Sequence, residues 1–154
     1  MAKNKTALSL IELIIFVLFL GILAAISVPK MTFFIISKQK AETFANQVVT
    51  DLRRTRRLAI SDAATNTDGY ALNMTGGGPY TGYEIVNLKT STTIPNGTFS
   101  IDSDISCNGG ANFQFGPLGN LKTGSGTQLT VTAGEKTFTI TITSATGMVK
   151  CTEN

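Results

Sequence analysis

The sequence predicts an α+β protein in which one long N-terminal α-helix packs on a C-terminal antiparallel β-sheet head. An apolar run reaches Val28 with a single charge, Glu12, and a helical period of 3.6 residues continues beyond it. After Gly69 the period drops to two, and threonine and glycine become dense. That composition is typical of short strands joined by tight turns.

Residues 8–29 are predicted to form the apolar first half of the helix. About 20 apolar residues are enough to cross a bilayer, so a transmembrane segment is expected here. Pro29 lacks an N–H group and Gly21 is a poor helix former, which predicts a kink or local opening near these two positions. A carboxylate such as Glu12 costs ~2.5–3.5 kcal/mol at the centre of a membrane helix, so it is expected to have a partner.

Residues 30–63 are predicted to continue the helix as an amphipathic segment. Apolar and small residues recur at steps of three and four and share one face, namely Ala41, Phe44, Ala45, Val48, Leu52, Thr55 and Ala59. The arginines Arg53, Arg54 and Arg57 lie on the opposite face, with Arg56 on its flank. Three interpretations stay open for them: a solvated helix face, which is favoured, a contact with a neighbouring subunit, or a contact with nucleic acid or anionic lipid.

Residues 64–154 are predicted to form the β-rich head. The clearest signal is the strict alternation over 137–143, which with 129–131 and the turn at 133–136 predicts a hairpin. Further strands are expected at 83–88, 99–101, 112–115 and 148–151. Histidine is absent, so no triad or Cys–His pair can form and neither an enzyme, a cofactor nor a metal site is expected.

The first 29 residues resemble the class III signal of type IV pilins and type II secretion pseudopilins. Lys3 and Lys5 precede a small residue, Ala7, and Leu8 opens the apolar run. In that family a basic leader is removed, and a glutamate occupies the fifth mature position. With Leu8 as the first mature residue, Glu12 is the fifth, so the resemblance implies a leader over residues 1–7.

The resemblance also implies how such a chain is processed and used. A prepilin peptidase would cut between Ala7 and Leu8, the Leu8 amine would be methylated, and Glu12 would pair with the Leu8 amine of an adjacent subunit. Expected partners are other pilin or pseudopilin subunits, the peptidase, an inner-membrane assembly platform and the lipid bilayer. The expected location is the bacterial inner membrane with the head outside the cytoplasm, then an extracellular or periplasmic filament.

A second, weaker resemblance concerns the head. The helix end at 52–60, the segment 115–120 and the final segment 144–150 are similar to GspH/FimT-type minor pilins and pseudopilins, so a minor subunit is favoured. From residue 64 onward the chain has four lysines and six acidic residues, so the head has a net negative charge. DNA is therefore not expected as a partner. Cys107 and Cys151 form an even pair in an exported domain, which predicts a disulfide, with two buried small hydrophobes as the alternative.

Other readings of the chain remain open. A secretory signal peptide or an ordinary signal anchor would explain the apolar run but would not explain the carboxylate of Glu12 within it. For the whole chain, the alternatives to a filament subunit are a DNA-uptake minor pilin that binds DNA through Arg53–Arg57 and a membrane-anchored periplasmic domain that does not polymerise.

Overall fold

The computed structural model describes residues 10–124 and 128–154, and the side chains of residues 27–35 lie outside this description. One helix, α1, runs from Leu10 to Ser61 and nine strands follow it. The chain divides into two units, Met1–Ile36 and Ser37–Asn154. The strands are β1 Tyr70–Thr75, β2 Gly82–Asn87, β3 Thr92–Ser100, β4 Ser106–Gly109, β5 Asn112–Phe115, β6 Leu121–Thr123, β7 Gln128–Ala133, β8 Lys136–Thr143 and β9 Met148–Glu153.

The predicted fold class is wrong about the first half of the helix. Within the described part of the chain, no helix combines the length and the apolar character needed to cross a membrane. What remains of the predicted class is its coarser form, a helix combined with antiparallel β-structure.

The helical part of the second unit buries the face that the sequence predicts. All seven stripe residues are buried, and Ala41, Ala45, Val48, Leu52, Thr55 and Ala59 are fully inaccessible. Burying a side chain of the size of leucine or valine contributes ~1.5–3 kcal/mol. The stripe therefore fixes which side of the helix faces the sheets.

The first sheet has five antiparallel strands in the order β3-β2-β1-β5-β6. Its central strand, β1, is buried on both faces from Tyr70 to Leu72. Tyr83, Ile85, Phe113 and Phe115 project from its neighbours into the core. The Tyr83 ring meets Phe44 of the helix edge-on, with ring centroids 6.2 Å apart, and stacks on Phe99 at 4.9 Å.

The second sheet has four antiparallel strands in the order β4-β7-β8-β9. The predicted hairpin is confirmed: Ala133 pairs with Lys136 across the turn, and Val131 pairs with Phe138. Along β8, Phe138, Ile140 and Ile142 are buried while the intervening threonines are half-buried. The predicted alternation therefore identifies the core face of this strand.

Three strands were not predicted from the sequence. β1 shows no apolar–polar alternation because both of its faces are buried. β4 consists of Ser106, Cys107, Asn108 and Gly109, and β6 is only three residues long. Neither provides the run of β-branched or aromatic residues by which a strand is predicted.

The predicted disulfide between Cys107 and Cys151 is wrong, because both residues are free cysteines. Cys107 lies on β4 and Cys151 on β9, which are the two edge strands of the same four-stranded sheet. Three inter-strand spacings of ~4.8 Å separate them, whereas bridged cysteines need Cα atoms within ~7 Å. The alternative holds for Cys107, which is fully buried, and in part for the half-buried Cys151.

Candidate functional site

The first candidate site is the apolar segment of α1 in the N-terminal unit. Its large side chains are exposed all around the helix, from Leu10 at 78% to Leu23 at 45%. Glu12 is exposed among them, and it has no ion pair with any described residue. Contiguous apolar surface of this kind marks an interaction site. The segment therefore offers a long apolar contact surface that carries one carboxylate.

Several predicted residues of this region lie outside the described residues. They are the leader 1–7, the cleavage pair Ala7 and Leu8, and the Leu8 amine that Glu12 is predicted to bind. Gly21 lies in α1 with open space where a Cβ atom would be. Pro29 lies within the bounds of α1. The predicted kink at these two residues stays a prediction.

The second candidate site is the arginine cluster near the end of α1. Arg56 Nε donates a hydrogen bond to the carbonyl oxygen of Gly119 at 2.9 Å. Arg53 Nη2 reaches the carbonyl oxygen of Val149 at 3.3 Å, and Arg54 Nη1 reaches that of Asn96 at 3.3 Å. These contacts join the helix to three separate parts of the head. The favoured interpretation of a merely solvated face therefore holds only for Arg57, which is exposed and bonds no described residue.

Two glycine turns meet beside Arg56. Gly119 and Gly147 both have left-handed backbones, with φ of +75° and +64°. A Cβ atom on Gly147 would come within 2.0 Å of the Gly119 carbonyl oxygen. The Leu121 N–H donates to the Ser144 carbonyl at 3.0 Å and so ties the two turns together. Glycine is required here because a side chain would collide with the carbonyl that Arg56 binds.

A groove of about 440 Å³ opens beside these turns. It is lined by Arg53, Arg56 and Arg57 and by Gly147, Met148 and Val149. None of the cluster's arginines forms a salt bridge with a described carboxylate. The groove therefore combines uncompensated positive charge with the exposed thioether of Met148.

A third charged cluster lies near the start of the head, at helix residues 38–42. Lys40 Nζ binds Asp102 at 3.0 Å and Asp104 at 2.7 Å. These hydrogen bonds raise the pKa of Lys40, and the ammonium lowers the pKa of the Asp102 carboxyl. Glu153 accepts from Lys136 at 2.8 Å and from Lys38 at 3.2 Å, which lowers its pKa. The side chains of these pairs are largely exposed, so each pair contributes little to the stability of the fold.

A buried polar pair fastens the middle of the helix to the first sheet. The Tyr83 hydroxyl donates to Asp51 Oδ2 at 2.7 Å, and Asp51 is only 7% exposed. Burial, reinforced by this hydrogen bond, raises the pKa of Tyr83 well above 10.0. The pair joins the helix to the sheet, and neither residue lines the groove beside Lys40 or the groove beside Met148.

Within residues 10–124 and 128–154, no group of three His, Cys, Asp or Glu side chains could hold a metal ion. Burial raises the pKa of the Cys107 thiol to about 12, which disfavours the nucleophilic thiolate.

Comparison with known proteins adds no relative: no protein-family model, no curated protein and no solved structure matches the chain. The resemblance to pilins therefore stays a prediction from the residues themselves. The same holds for the expected processing, partners and location.

Proposed function

We propose that this protein is a subunit of a helical filament of the type IV pilus or type II secretion pseudopilus class. A minor subunit of the GspH/FimT type is favoured. The single observation that carries the proposal is the segment Leu10–Ile26, a helix with apolar side chains on every face and one carboxylate. Such a helix is unfavourable in water and needs apolar surroundings on all sides.

Packing against the same segment of other copies would supply those surroundings. Each large side chain removed from water contributes ~1.5–3 kcal/mol. Thirteen of the exposed large hydrophobic residues lie between Leu10 and Ile26. Even after the cost of ordering each subunit, a bundle of these helices would form a stable filament core.

Glu12 would then decide whether a subunit enters that core. After removal of residues 1–7, the Leu8 amine is positively charged, and a neighbouring Glu12 would neutralise it. A buried charge left without its partner costs ~3–5 kcal/mol. Pairing of Glu12 with the amine of the adjacent subunit thus favours the correct axial position of each copy.

The processing and assembly steps that we propose are those of the pilin and pseudopilin class. A prepilin peptidase would cut before Leu8, and an inner-membrane platform would add the subunit to an extracellular or periplasmic filament. Intact mass of the mature chain tests the processing step. The expected mass lacks residues 1–7 and carries one methyl group, whereas an N terminus near Ser27 would contradict the proposal.

The assembly step is tested by replacing Glu12. In Glu12→Ala the leader should still be removed and the head should fold, but the ratio of sheared filament protein to cell-retained protein should fall roughly tenfold or more. Glu12→Asp keeps the charge on a shorter side chain and should be intermediate. Glu84→Ala, which removes a carboxylate of the first sheet, is the matched control. Equal ratios in all four proteins would show that Glu12 does not drive assembly.

A further inference from the structure

In the second unit, Ser37–Asn154, which joins the head to the helix segment packed on it, negative and positive side chains concentrate at opposite ends of that helix segment. Near its beginning, five carboxylates surround three lysines, so this acidic end is net negative. Ion pairs and turn contacts at helix residues 37–42 bring these groups together. The acidic end comprises Lys38, Lys40, Glu42, Asp102, Asp104, Glu135, Lys136 and Glu153.

The opposite end of the head is basic. Lys89 and Lys122 donate to the carbonyls of Thr65 and Thr67, which follow the helix, and so join the arginine cluster at this end. This end has six basic side chains and only two carboxylates. One of the two, Asp62, already accepts a hydrogen bond from the Tyr70 hydroxyl. The basic end comprises Arg53, Arg54, Arg56, Arg57, Lys89, Lys122, Asp62 and Asp68.

The exposed charged side chains that make the fewest bonds within the subunit have opposite signs at the two ends. Glu42 and Glu135 are exposed, and neither has a hydrogen bond or ion pair with a described residue. Arg57 is likewise without such a bond, and exposed Arg53 makes only the 3.3 Å contact with Val149. Each end thus keeps charge that the subunit itself does not neutralise.

From these features we infer that the basic end of one head binds the acidic end of the next copy, with Arg53 and Arg57 facing Glu42 and Glu135. The inference rests on the proposed filament and names the contact between its heads. Residues 40 and 57 of the helix are roughly 25 Å apart at ~1.5 Å per residue, so the two ends cannot meet within one copy. A head-to-tail contact joins two different surfaces, so it propagates as a helical filament wherever its rotation does not close a ring.

The groove beside Met148 suits such a contact. Glu135 is exposed in the turn between β7 and β8, so a neighbouring copy can present it as a projecting carboxylate. The groove supplies Arg53 and Arg57 as donors, and Met148, which is 59% exposed, gives an apolar wall. Arginine–carboxylate pairs are short and directional. A second copy is favoured over DNA because the same chain supplies exposed carboxylates, Glu42 and Glu135, that bond no described residue and match the exposed arginines in charge.

The test is a charge swap in the full chain, scored by the fraction of protein recovered in sheared filaments. Arg53→Glu with Arg57→Glu should lower that fraction roughly tenfold, and so should Glu42→Arg with Glu135→Arg, because like charges then face each other. The chain carrying all four changes should recover most of the wild-type fraction. Lys150→Glu, an exposed charge change on β9 that belongs to neither set of facing residues, should assemble normally. Arg57→Glu alone breaks no intramolecular bond and should show a smaller loss.

The outcomes separate this inference from the proposed function. If wild-type chain forms no filament, the proposed function fails. If wild type assembles but both double variants assemble equally well, or if the fourfold variant is no better than either, the contact is wrong. Duplex DNA at physiological salt provides the second arm: tight binding by wild type, lost in Arg53→Glu with Arg57→Glu while assembly is unchanged, would assign the basic end to DNA instead.

Discussion

Arg56 Nε donates a hydrogen bond to the carbonyl oxygen of Gly119 at 2.9 Å. This bond links the end of α1 to the turn between β5 and β6, and Gly147 of the turn between β8 and β9 packs against the same carbonyl. One guanidinium therefore holds together the helix and the turns of both sheets.

Loss of the Arg56 side chain is expected to destabilise the head. In Arg56→Ala the free energy of unfolding should fall by ~1–3 kcal/mol, since the carbonyl of the buried Gly119 loses a charged donor. Urea unfolding followed by circular dichroism measures the change. Arg57→Ala, one residue along but without an intramolecular bond, should stay within ~0.5 kcal/mol of wild type. Equal losses in the two variants would contradict the role given to Arg56.

Gly147 is expected to tolerate no side chain. Its φ of +64° disfavours L-residues, and a Cβ atom would lie 2.0 Å from the Gly119 carbonyl oxygen. Gly147→Ala should lower the free energy of unfolding by at least ~2 kcal/mol. Gly77→Ala is the matched control, because no atom lies within 4 Å of the added methyl group. Comparable melting temperatures for the two variants would show that the turns can move apart freely.

The Tyr83–Asp51 pair is expected to matter for both stability and its pH dependence. Tyr83→Phe leaves Asp51 buried without its donor and should cost ~1–3 kcal/mol. Tyr80→Phe, whose hydroxyl bonds the Gly109 carbonyl at an exposed position, should cost less.

The sign of the pH effect follows from the raised pKa of Tyr83. The phenol ionises near 10.0 in the unfolded chain but stays protonated in the folded one, so its contribution is complete below pH 10.0 and is lost as pH rises further. The difference in urea midpoint between wild type and Tyr83→Phe should therefore narrow above that pH. A constant difference would contradict the buried, protonated state.

The two cysteines are expected to behave as separate free thiols. Non-reducing and reducing gels should give the same mobility. Iodoacetamide should modify Cys151 slowly in the native protein, because burial and the charge of Glu42 raise its pKa. Cys107, whose pKa is about 12, should react only after unfolding. In the Cys151→Ser variant, labelling of the native protein should disappear. In the wild-type protein, recovery of a peptide in which Cys107 is disulfide-linked to Cys151 would contradict the strand order.

Local spacing was enough to predict some of the fold. The buried stripe from Ala41 to Ala59 follows from steps of three and four, and the hairpin of β7 and β8 follows from alternation around a short turn. β1 was missed because burial on both faces removes the alternation, and only its central position in the sheet explains that burial.

The sequence by itself determined the helical face that is buried, the strongest strands, and the apolar segment that carries Glu12. Each of these patterns lies within a few neighbouring residues, which share one backbone geometry. The tertiary structure alone decided the roles of the arginines and the state of the cysteines. Arg56 and its carbonyl are 63 residues apart, and Arg53 and its carbonyl are 96 apart. Such pairs depend on the order in which strands join the sheets, and that order leaves no local trace in the sequence.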